Sequence, residues 1–196
     1  VCAKHPMVAG THYVEVTVVE KAHPTAANAK RGPFGTDRMG LVGEDFNAVG
    51  GGIATTSEDG WLLSTHMGAF VHDNQPGVWY GMVKVGDIKA GDVVGLLLDL
   101  EQRTLLVYLN GARCGVMVVP EMGDMDGKQV ATLVGPLRWA VDMGDGAKVR
   151  IERKPPPPSP TRNQTSSSSP SAPRLRTSRS DPHAHAPFFC ARATKT

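Results

Sequence analysis

Between Gly91 and Gly111 the chain reads GDVVGLLLDLEQRTLLVYLNG, two apolar runs separated by a short polar break. In the first run Val94, Leu96, Leu98 and Leu100 fall on alternate positions, and in the second Leu105, Val107 and Leu109 do the same. Spacing of period two is what a strand with one face in a core requires. Glu101-Gln102-Arg103 leaves room only for a hairpin, so the runs are expected to pair antiparallel. Asn110-Gly111 supplies the residues that most easily reach positive φ, a second tight turn, and Gly115 to Val118 reads as the returning strand. The result is a β-meander that the rest of the body must cover.

The remaining apolar pattern has the same period. Val14, Val16 and Val18 alternate within a strand over 12–20, and Arg38 to Phe46 reads as another. Trp61-Leu62-Leu63 begins a short strand, Asp73 to Gly77 is a turn, and Val78 to Met82 alternates again. Ala131 to Val134 and Pro136 to Met143 read as closing strands, and Ala147 to Ile151 as the last. Lys21 to Thr36 and Met122 to Gln129 read as exposed loops, with Gly50-Gly51-Gly52 a flexible turn. No helix of ordinary length is expected. With 22 glycines among 196 residues, the body is all-β and rich in turns. About 150 residues suffice to bury roughly two thirds of the surface that the unfolded chain exposes.

Composition changes at Pro155. Pro155 to Pro158, Ser166 to Ser169 and the Arg/Ser-rich stretch beyond cannot bury enough apolar surface to fold. The expected division is a sandwich over 1–152 and a disordered Pro/Ser/Arg-rich tail over 153–196. Residues 155–196 hold six Arg and Lys against Asp181, an excess of five positive charges. Because the whole chain is +2, residues 1–154 carry about −3. A mildly acidic body gives no reason to call the folded part a nucleic-acid binder, so only weak contact through the basic tail is expected. Cys2, Cys114 and Cys190 are too few and too dispersed for a disulfide framework. Reduced thiols and no apolar run long enough to span a membrane point to an intracellular, monomeric protein.

Several motifs in order resemble the SPRY, or B30.2, domain family. They are Gly10-Thr11-His12-Tyr13-Val14-Glu15-Val16, Gly60-Trp61, Tyr80-Gly81, the Gly91 to Gly111 stretch followed by Gly115-Val116, and Leu137-Arg138-Trp139-Ala140-Val141. The resemblance spans about residues 7 to 152. It implies a bent sandwich of two antiparallel sheets that binds another protein or an extended peptide through its loops, as an adaptor without chemistry or cofactor. The candidate loops are 21–37, 47–60, 65–77 and 119–129, with His72, Asp73, Asn74, Trp79 and Tyr80 as partner-binding residues. The family has a strand before Tyr-x-Glu-Val, and residues 1–9 leave little room for it, so the first sheet edge is read as incomplete. Most of the aromatic residues, Trp139 and Tyr108 above all, are expected in the core.

Chemistry-bearing constellations are sparse. Ser64, His66 and Asp73 form the one close-set trio of nucleophile, base and carboxylate, and define the alternative of a hydrolase, but no nucleophile elbow surrounds Ser64. His66, His72 and Asp73 lack a further ligand at metal-site spacing. Asp124-Met125-Asp126-Gly127 matches half of a calcium loop without its later acceptors, so a plain hairpin tip explains it better. Gly50-Gly51-Gly52 lacks the Lys-Ser/Thr and helix of a phosphate cradle.

Overall fold

A computed structural model describes residues 4–21, 37–47, 54–83, 88–125 and 128–157. The strands are β1 (Thr11–Glu20), β2 (Arg38–Gly43), β3 (Gly60–Ser64), β4 (Phe70–His72), β5 (Gln75–Gly77), β6 (Val93–Asp99), β7 (Thr104–Leu109), β8 (Ala112–Val118), β9 (Asp124–Met125), β10 (Lys128–Gln129), β11 (Leu137–Asp142) and β12 (Lys148–Lys154). Two five-stranded antiparallel sheets result, in the orders β12-β1-β6-β7-β8 and β11-β2-β3-β4-β5. The one helical element among the described residues is a single 3₁₀ turn, Ala54–Thr56.

The meander forms as its alternation dictates. Leu96 pairs with Val107 and Leu98 with Leu105, so the apolar register of both strands faces one way. At the second turn Asn110 and Gly111 both have positive φ, 52° and 80°. The Asn110 side chain ties that turn to the start of β6. Its Oδ1 accepts from Val93 N at 2.9 Å, and its Nδ2 donates to Asp92 Oδ1 at 2.9 Å. The Asp92 carboxylate also accepts from Lys89 N at 2.6 Å. These bonds, that from Asn110 foremost, hold its pKa below the usual carboxylate value.

The core lies between the sheets. Val14, Val16 and Val18 of β1 join the meander residues on one side. Met39, Leu41, Trp61, Leu63, Phe70, Leu137, Trp139 and Val141 face them from the second sheet. That second sheet is apolar on its back as well, where Val42, Leu62 and Ala140 are covered by Ala54 and Phe46. Burial on both faces removes the period-two signature from β2, all six of whose residues are buried. Even Arg38 is inside, its Nη1 donating to Asp142 Oδ2 at 3.4 Å.

Three segments depart from the expectation. Val78 to Met82 joins no ladder; β5 ends at Gly77 and the chain turns, with Met82 N donating to Trp79 O at 3.1 Å. Ala131 to Val134 is an irregular strap, not a strand. The second strand stops at Gly43, short of Phe46. At the other end of the chain, Met7 makes a two-bond bridge to Leu137, lying along the outer side of β11. Of the tail expected over 153–196, Arg153 and Lys154 belong to β12, and 158–196 lie outside the described residues, as do most of loop 21–37 and the Gly50 to Gly52 turn.

Candidate functional site

Period two survives in 78–83 as alternation of facing without strand pairing. Trp79 and Val83 point inward and are buried, whereas Val78, Tyr80 and Met82 point outward with 82, 93 and 37 % of their surface exposed. The inward residues are seated. Trp79 Nε1 donates to Gly68 O at 3.0 Å. Gly81, at φ 91°, and Gly115 of β8 let the two backbones cross in contact, since a Cβ on Gly115 would lie 2.2 Å from the Tyr80 carbonyl oxygen. A fixed ledge therefore carries three adjacent apolar side chains into solvent. Aromatic and Met side chains presented in this way are typical interface anchors.

The β4–β5 hairpin leads into the ledge. Its two connecting residues, Asp73 and Asn74, have φ of 44° and 58°, the type I′ geometry that Asn and Asp tolerate. The turn is thus tighter than the five-residue turn expected, and it holds Asn74 exposed and Asp73 half-buried. Cys114, beside Gly81, is half-buried, and that burial pushes its thiol pKa up, so the protonated, sluggish form dominates.

Two of the sequence candidates lie beneath this surface. His72 is 4 % exposed and stacks between Trp61 and Phe70, with centroid distances of 5.7 and 6.1 Å. Its Nδ1 bonds to Gly60 O at 2.8 Å, and its Nε2 accepts from Ala131 N at 3.3 Å. Those partners select the neutral tautomer protonated on Nδ1. Trp61 Nε1 donates to Ala131 O at 2.8 Å, so one peptide unit of the strap is gripped from both sides. Trp79 is buried in the same sense. A polar or aromatic residue beside a turn gives no sign in sequence of whether it faces solvent; Val78 and Met82, the exposed neighbours of Tyr80, were legible only as its period-two partners.

Ser64, His66 and Asp73 are not brought together as a triad. Leu62 pairs with Val71 and Leu63 with Phe70, a register that sets Asp73 opposite Gly60. Ser64 is four residues away along β3, about 13 Å at the usual rise per residue. The Ser64 hydroxyl is buried and accepts from Met67 N at 3.3 Å, capping the turn that displays His66. No group of three His, Cys, Asp or Glu side chains among the described residues could hold a metal. Asp124 and Met125 pair with Gln129 and Lys128, the ladder of a hairpin.

The double antiparallel sandwich with these strand orders is the SPRY fold. Among solved structures, the crystal structure of the SPRY domain of human HERC1 is similar, with a TM-score of 0.50 and 16 % identity, over 78 % of this chain and 79 % of that one. No protein-family model and no curated protein matches the sequence. Among the described residues no helix is long and apolar enough to cross a membrane.

Proposed function

We propose that the chain is a non-catalytic protein-interaction module that recognises a partner protein or a short extended peptide through the ledge and hairpin. Tyr80, Val78 and Met82 supply apolar anchors, and Asp73 and Asn74 supply polar contacts at the rim. His72 and Trp79 act from below, by fixing the hairpin and the ledge. The observation that carries this reading is Tyr80, 93 % exposed on a backbone that is itself seated against β8. Binding residues mounted on loops above a rigid scaffold are the common arrangement. The SPRY fold supports the same reading by analogy.

The experiment is affinity capture with the full chain and with Tyr80→Ala in parallel, followed by calorimetry on each protein retained by the first only. Truncating an anchor costs about 2 kcal/mol or more, roughly thirtyfold in affinity. A partner whose affinity is unchanged by Tyr80→Ala and by alanine at 73, 74, 78 and 82 refutes the surface.

A further inference from the structure

The opposite edge of the sandwich, where β12 and β11 face each other, holds a second feature. A cavity of about 160 Å³ is lined by Met7, Thr11, His12, Tyr13, Trp139, Arg153, Lys154 and Pro156. Trp61 and Trp79 each donate their indole N–H to a backbone carbonyl, whereas Trp139, 6 % exposed, makes no such bond among the described residues. The neighbouring charges are matched except for one. Lys154 pairs with Glu15 and, at 3.7 Å, with Glu152, which also takes Arg150 at 3.4 Å. Arg153 makes no ion pair among the described residues. His12 is held in the wall by a bond from Nε2 to Ala9 O at 2.8 Å.

We propose that this cavity takes a single carboxylate carried on an apolar stem. A guanidinium presents two parallel N–H groups that fit a carboxylate, and one uncompensated positive charge matches a monoanion better than a phosphate dianion. Met7, Trp139 and Pro156 give the stem an apolar seat, and the unpaired indole N–H offers a further donor. An organic acid and a partner's glutamate side chain present the same chemistry. The site is independent of the ledge, which lies against β8 and follows β5 at the far end of both strand orders.

The test is NMR titration of the ¹⁵N-labelled full chain with 3-phenylpropionate, its uncharged amide, phenyl phosphate, and acetyl-Leu-Glu-Leu-amide. The carboxylate should shift the Trp139 Nε1–H and Arg153 Nε–H signals to saturation, binding about tenfold or more tighter than the amide, the usual weight of a charge-assisted bond. Arg153→Gln, at an exposed position, should keep the remaining spectrum and lose that preference. Binding of the glutamyl peptide as well would identify a partner's side chain as the source, and binding of phenylpropionate alone a free acid. Equal binding of acid and amide, tighter binding of phenyl phosphate, or an unchanged preference in Arg153→Gln each overturns the proposal. Because Tyr80→Ala does not touch this edge, failure here leaves the ledge reading standing, and the reverse.

Discussion

Gly115→Ala tests whether the ledge is seated as described. The added Cβ would stand 2.2 Å from the Tyr80 carbonyl oxygen and 3.2 Å from a ring carbon of Trp79. The first distance falls 0.8 Å short of the 3.0 Å below which something must shift, and the obstacle is backbone, not the end of a flexible side chain. The ledge must therefore lift from β8, loosening Trp79 from its bond to Gly68. Overpacking of this kind costs about 1–3 kcal/mol. For a body of this size each kcal/mol is worth about 2–4 °C, so the melting temperature should fall by roughly 2–12 °C. Gly123→Ala is the control, because a Cβ there meets nothing within 4 Å. Its effect should stay within about 0.5 kcal/mol. Thermal melts followed by circular dichroism give both numbers. If the two variants melt together, the close crossing of ledge and strand does not exist in solution, and the argument for a rigid anchor surface goes with it.

Leu98→Ala, at a fully buried position of β6, should cost about 2–5 kcal/mol in denaturant unfolding, against about 0.5 kcal/mol or less for Gln102→Ala in the exposed hairpin turn; equal midpoints would mean that the register is wrong. Stability should also decline at both extremes of pH. Burial, with Glu15 next to it, pushes the Tyr13 hydroxyl up to about 12. Its contribution is complete below about 10, the unfolded value, and is lost as pH rises from there toward 12. Asp92 has its pKa depressed, so its contribution is present above its unfolded value and is lost as pH falls through the folded one. Asp92→Asn should flatten the acid limb and Tyr13→Phe the alkaline limb of a plot of melting temperature against pH; limbs that are unchanged count against these assignments.

The sheets were legible where one face meets the core and the other meets water. Leu96, Leu98, Leu105 and Val107 alternate for that reason, and Asn110-Gly111 marks its turn because few other residues take positive φ cheaply. Over β2, where a second layer covers the back of the sheet, the strand was legible but its end at Gly43 was not, since burial on both faces erases the period. Legibility failed differently at 78–82, where alternation was real but reports facing, not hydrogen-bond pairing. Arg38, His72 and Trp79 carry polar atoms that belong at a surface unless a partner waits inside. The partners, Asp142, Gly60, Ala131 and Gly68, lie between 11 and 104 residues away, beyond any local pattern.

The grip of His72 and Trp61 on Ala131 bears on how the molecule breathes. A strap outside any ladder would ordinarily exchange its amide hydrogens through small, local openings. Here the Ala131 amide is bonded to a side chain of β4, and its carbonyl to one of β3. Release of that amide requires the imidazole to leave its stack between Trp61 and Phe70, an event that belongs to the opening of the sheet itself. The strap and the hairpin carrying Asp73 and Asn74 are thereby joined in one cooperative unit. Its exchange rate would be set by the core, to which Leu133 of the strap and Phe70 of the hairpin both belong.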